Sequence, residues 1–269
     1  MVADVSPGGM HTGITHPRCF ASADANCSIH ISKEHVVSAT LLRQFALNGW
    51  AKISGLRWQK EKTFDLFPVK RLASKVLCTR HNSALSPLDA EIDDFSRVVG
   101  EIDRSIGKAD FRDYVISGDN IQLWMLKTVI GMSEADYIGG SIRPGCIDIL
   151  YGRREWPNGW GMYWRAEPGQ RIYISGSFLL ETQINPQTQE ILFVDFQFRG
   201  LSLALSLGVP AFSVPSIYRP SGVTFRVAEG ESHIRFQWDS PPVEGAVVLD
   251  RVGTYNGPSP AWQTWEQEG

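Results

Sequence analysis

The sequence turns on two stretches, residues 19–38, CFASADANCSIHISKEHVVS, and residues 75–89, KVLCTRHNSALSPLD. Each is incomplete alone. Together Cys19, Cys27, Cys78 and His81 offer three thiolates and an imidazole, the number and kind of ligand that a closed tetrahedral zinc site needs. The C-x2-H spacing at Cys78 lets one tight turn aim both side chains at a single ion, whereas the C-x7-C spacing at Cys19 calls for a longer loop. A rival set, Cys27 and His30 with Cys78 and His81, would make two matching knuckles. Cys19 is preferred, because His30 lies five residues before His35 and leaves little chain to carry a strand away from the metal. A structural zinc is expected either way, with Glu34, His35 and Asn82 beside it and uncommitted.

Around these stretches the composition is ordinary. The chain has 269 residues, 43% hydrophobic and 20% charged, enough for two domains or one large β-rich domain. The most apolar run, beginning at Gly200, is broken by Gly208, Pro210 and Pro215, so no membrane span is expected. The opening residues lack the basic start and apolar block of a secretory signal. Four cysteines, three of them grouped with histidine, suit a reducing compartment, and a cytoplasmic protein is expected. Net charge is only -3, but its distribution is uneven. From Lys33 to Arg80 there are ten basic and three acidic residues, whereas residues 109–269 carry twelve basic and eighteen acidic. Positive charge thus gathers between the two half-motifs, where a polyanion would lie. The expected contacts are Lys52, Arg57, Lys60, Lys62, Lys70, Arg71, Lys75 and Arg80.

In chain order, residues 1–16 read as a mobile polar lead-in, and a short strand ends at Glu34 and His35. Ser38 caps a short helix carrying Leu41, Leu42, Phe45 and Ala46 at helical spacing, stopped by Asn48-Gly49. WAKISGLRW and TFDLFPVK then form a lysine-rich strand pair. Ser86-Pro87 starts a longer helix running to about Ile106 and stopped by Gly107. On it Asp89, Glu91, Asp93 and Asp94 read as a solvated face, the alternative being that one of them completes the metal site. A further helix, capped at Asp119 and stopped near Gly131, is apolar around most of its circumference and is expected to be buried. Runs of β-formers follow, separated by Asn-Pro, Gly, Pro-Ser and Pro-Pro turns. Their tryptophans, Trp156, Trp160, Trp164 and Trp238, read as core, and Arg153, Arg154, Arg165 and Arg171 as surface ion-pair partners.

With these residues in place, residues 19–94 resemble the HNH or ββα-metal nucleases, and in particular their endonuclease VII-like branch. There a pair of zinc knuckles flanks an Asp-His pair, and an Asn follows in the second half of the motif. Glu34-His35 stands for the Asp-His pair, Asn82 follows His81 directly, and His81 takes the place of a fourth cysteine. Many members carry an Asn shortly before the second knuckle, where this chain has RLAS at residues 71–74. The resemblance implies a metal-dependent endonuclease. Glu34 and Asn82 would hold one Mg2+ or Mn2+ ion, and His35 would act as general base on the attacking water. The basic segment would grip the nucleic-acid backbone, DNA in the first place, and a homodimer would let both strands be cut together.

The expected fold is therefore α+β. A zinc-bound ββα-metal, HNH-like module at residues 17–108 would be followed by a β-rich sandwich or barrel domain at 109–253 and a loosely held tail at 254–269. The competing expectation is a zinc-stabilised module that binds nucleic acid or protein without catalysis.

Overall fold

The computed structural model describes residues 2–60, 63–105, 111–165, 177–208, 216–227, 230–239 and 245–250. Through the first part of the chain the elements are β1 (Glu34–His35), α1 (Ala39–Arg43), β2 (Trp50–Ser54), β3 (Asp65–Pro68), β4 (Ala73–Ser74), α2 (Thr79–Ala84) and α3 (Ser86–Ser105). Next come β5 (Asp113–Ser117), α4 (Gly118–Glu134), α5 (Cys146–Leu150), β6 (Gly161–Arg165), β7 (Ser177–Ile184) and β8 (Ile191–Phe198). The last are β9 (Leu201–Ser206), β10 (Ser216–Tyr218), β11 (Gly222–Val227), β12 (Gly230–Gln237) and β13 (Val247–Asp250). The fold is mixed α and β, and its strands form three sheets.

The largest sheet has seven strands in the order β10-β6-β9-β8-β7-β2-β3. The second has four, β13-β11-β12-β5, and the third is the pair β1-β4. The large sheet crosses the expected domain boundary, because β2 pairs in parallel with β7, Ile53 opposite Phe178. Gly55 makes that join possible: at φ +94, a Cβ there would fall 1.7 Å from the Leu180 carbonyl oxygen. The four-stranded sheet is also joined across sequence, with β5 running parallel to β12.

Among the described residues one large apolar core lies between these elements, with a small second cluster of Tyr163, Phe193 and Ala204 on the large sheet. On α4 every residue from Gly118 to Met132 except Asp119 is buried, in keeping with its apolar circumference. Trp124 packs its ring against Phe196 and Phe198 of β8. From α3, Phe95 meets Trp164 of β6, Phe198 of β8 and Phe236 of β12, so one side chain touches both larger sheets. Trp164 is buried, and Trp156, Trp160 and Trp238 are partly buried against the same core.

Local signals held at the starts of α1 and α3, whereas α4 is capped by Ser117, whose hydroxyl accepts from the Asn120 amide, and not by Asp119. The Ser38 hydroxyl accepts from the Leu41 amide at the head of α1, and α3 begins at Ser86. The stop near Gly131 differs. α4 continues to Glu134, and a Cβ at Gly131 would lie 3.3 Å from Val36, so this glycine admits the chain leaving β1 against the helix. The lead-in is also packed: Val5 is buried, the Ala3 amide donates to Asn120 Oδ1, and Arg80 reaches the carbonyls of Pro7, Gly9 and Met10. Lys62, Gly107, Arg171 and the tail lie outside the described residues. Among the described residues, no helix is long and apolar enough to cross a membrane.

Candidate metal centre

Cys19 and Cys27 sit at either end of the loop that contains the short 3-10 turn Ser22–Asp24, and Cys78 is the N-cap residue of α2. One helical turn later α2 presents His81. The isolated bridge Ile31–Cys78 ties the two half-motifs together at that point. All four ligand atoms are buried and lie within 4.8 Å of one another. His81 Nδ1 stands 3.2 Å from Cys78 Sγ, 3.5 Å from Cys19 Sγ and 3.7 Å from Cys27 Sγ. Zinc at its usual bond lengths in a tetrahedron separates sulfur from nitrogen by about 3.6 Å. The three measured edges bracket that value, so the donors present fit the ion. His30 of the rival set is exposed and outside the cluster.

The thiols are prepared unequally. Burial pushes the Cys19 thiol up to about 12. At Cys78 burial acts in the same direction, but the backbone N–H groups of His81 and Ser28 aimed at its sulfur prevail and bring it down to about 6. Cys78 is thus the first thiolate available to an incoming cation, whose own charge would favour ionisation of the others.

The imidazole is held from behind. With Nδ1 turned to the thiols, Nε2 carries the proton and donates to Asp24 Oδ2 at 3.0 Å. Arg153 Nη1 lies 3.1 Å from the same oxygen, and its guanidinium covers Tyr151, whose ring meets the His81 edge. Burial tends to raise the Asp24 carboxyl, but the hydrogen bonds from His81 and the Asn26 amide, together with the charge of Arg153, outweigh it and hold the carboxyl below the usual range. Asp24 was not among the residues expected from sequence, and no spacing rule marks an aspartate inside the first loop. Replacing it by asparagine should lower zinc affinity roughly 10- to 100-fold while leaving all four ligands in place. Competition with a chromophoric chelator would measure this, and unchanged affinity would remove Asp24 from the centre.

Beside the metal centre lies a second polar cluster. β1 runs antiparallel to β4, Glu34 opposite Ser74 and His35 opposite Ala73, and α2 follows after four residues. Glu34 is buried, with Oε1 2.7 Å from Lys127 Nζ of α4. Lys127 is itself enclosed and makes a second contact, 2.5 Å, with Asp89 Oδ2 of α3. Asn82 donates from Nδ2 to Ser32 Oγ at 3.0 Å. His35 Nε2 is buried and has no hydrogen-bond partner among the described residues. Its pKa is held below the ordinary value, first by burial and then by the charges of Arg43 and Lys33.

The acidic run on α3 is not a solvated face. Asp89 turns inward to Lys127, Glu91 accepts from the Ser117 amide and Asn120 Nδ2, and Asp93 accepts from Ser38 Oγ. Asp94 alone of the four faces outward, pairing with Arg97. Among the expected nucleic-acid contacts, Arg57 pairs with Asp136, Arg80 is committed to the lead-in and Lys52 lies over Phe64. Lys60, Lys70, Arg71 and Lys75 are exposed. So are Lys33 and Arg43, which the local charge excess had included. In the later part of the chain Arg153 and Arg165 form ion pairs, with Asp24 and Asp195.

No protein-family model matches this chain, and no curated protein or solved structure matches it either.

Proposed function

We propose that this chain hydrolyses phosphodiester bonds in nucleic acid, with His35 as the general base. The reading rests on one observation: a buried, unpartnered imidazole nitrogen, beside a rim of exposed cations, on a strand pair followed by a helix that carries metal-site residues. Buried polar atoms in native proteins nearly always have partners. A water or a phosphate oxygen would supply the missing one. His35 would take a proton from that water as its oxygen attacks phosphorus. A P–O bond forms to the water oxygen, the P–O bond to the leaving 3′ oxygen breaks, and the proton passes to that oxygen or to solvent. Lys33, Arg43, Lys70, Arg71 and Lys75, exposed and with no ion pair among the described residues, would hold the backbone by charge without reading sequence. DNA is the first substrate to try, and the zinc centre would brace α2 against β1. In this reading residues 17–108 act as the ββα-metal module, its β2–β3 hairpin built into the sheet of the partner region.

A second reading, a zinc-stabilised nucleic-acid or protein-binding module without catalysis, is favoured by the burial of Glu34 and its engagement by Lys127. Plasmid and oligonucleotide cleavage by wild type and His35→Ala separates the two. Under the first reading the variant binds as wild type does and loses about 10²- to 10⁴-fold in rate. Because His35 is held below its ordinary pKa of about 6.5, it stays neutral and able to accept a proton further into acid. The acid limb of the wild-type rate should therefore lie below that value. Equal cleavage by both proteins, or none by either, would remove His35 from catalysis.

A further inference from the structure

The cation at Glu34 is the point where the resemblance and the geometry part. A divalent ion takes a carboxylate oxygen at about 2 Å. Glu34 Oε1 already has the Lys127 ammonium at 2.7 Å, and the Asn82 amide nitrogen is engaged by Ser32 Oγ. An ion seated on that oxygen would stand within about 5 Å of Nζ. In a buried site two such charges repel strongly, with little water between them. Nor is Lys127 free to swing away: its side chain is enclosed, and Asp89 Oδ2 holds it from the other side.

The geometry points to Lys127 as the resident cation of this site, its ammonium standing on Glu34 and Asp89 where a divalent ion would otherwise bind. Two carboxylates bracket one ammonium, drawn from three separate elements: β1, α3 and α4. The arrangement fixes Glu34, the neighbour of His35 on β1, without recruiting an ion from solution. Lys127 is buried away from any substrate, so it is a positioning residue. Its consequence for hydrolysis, that cleavage needs no added magnesium or manganese, rests on the reading of the preceding subsection. Its consequence for metal binding does not.

The deciding experiment is a Mn2+ titration of the full, zinc-loaded chain, followed by the electron paramagnetic resonance signal of the free ion, without nucleic acid. Wild type should leave the signal unchanged at Mn2+ concentrations where Lys127→Ala, with Glu34 and Asp89 both released, binds one ion. The gain in affinity should be at least about a hundredfold, the scale set by an uncompensated buried charge. Adding Glu34→Gln to Lys127→Ala should abolish that binding. Tight binding by wild type that Glu34→Gln removes would overturn the assignment, and this arm requires no Lys127 variant to fold. Failure of a folded, zinc-loaded Lys127→Ala protein to bind would overturn it equally. If the titration behaves as expected but no nucleic acid is cut, the nuclease reading falls while the resident cation stands.

Discussion

Cys78→Ser is expected to abolish stoichiometric zinc and unfold at least the region between Cys19 and His81. Serine keeps an oxygen that can cap α2, so the loss is that of the ligand. Structural zinc in small peptides contributes on the order of 10–16 kcal/mol to folding at neutral pH, against a net stability of about 5–15 kcal/mol for a typical domain. Losing most of that contribution leaves the two knuckles with four buried donors and little to hold them together. The effect should appear as zinc below stoichiometry and as loss of near-ultraviolet ellipticity and earlier thermal unfolding. Cys146→Ser is the matched control. Cys146 is buried outside the cluster, with its thiol pushed up to about 11 by burial, and its replacement should leave zinc content unchanged. Full zinc occupancy in Cys78→Ser would mean that the ion is held elsewhere.

Trp124→Ala should be the most damaging single truncation away from the metal. The side chain is fully buried on α4 between Phe196 and Phe198, and removing a large core aromatic costs about 3–5 kcal/mol. For a protein of this size that corresponds to a fall in Tm on the order of 10 °C. Trp124→Phe should cost much less. The indole Nε1 is buried and has no hydrogen-bond partner among the described residues, so its removal relieves a desolvated N–H and offsets part of the lost contact. The same helix carries Lys127 to Glu34 and places Gly131 against Val36, and the large sheet includes β2. The destabilised variant should therefore lose sheet and metal region in one cooperative transition. Separate melting of the two halves, followed by zinc release and far-ultraviolet ellipticity, would show instead that they fold independently.

The metal ligands were legible because their signal is chemical and local. Thiols and imidazoles at short spacings are few in any chain, and one turn of backbone suffices to bring Cys78 and His81 together. The start of α1 was legible for the same reason: Ser38 acts on the Leu41 amide within a turn of itself. The acidic run on α3 shows the limit of such signals. Asp89, Glu91, Asp93 and Asp94 look alike in sequence, yet they differ in what the next element brings to them: Lys127, the start of α4, Ser38 and solvent.

By itself, then, the sequence determined the set of metal-binding donors, the Ser38 cap of α1, the apolar circumference of α4 and the concentration of positive charge between Lys33 and Arg80. Tertiary structure alone decided that β2 and β3 join the large sheet, that Asp24 stands behind His81 and that Lys127 stands on Glu34. The division has a physical cause. Spacing and capping depend on covalent geometry over a few residues, whereas the partner of a buried charge depends on which distant elements the shared core brings into contact. A lysine within a buried helix shows no sign in its own segment of the carboxylates that will neutralise it.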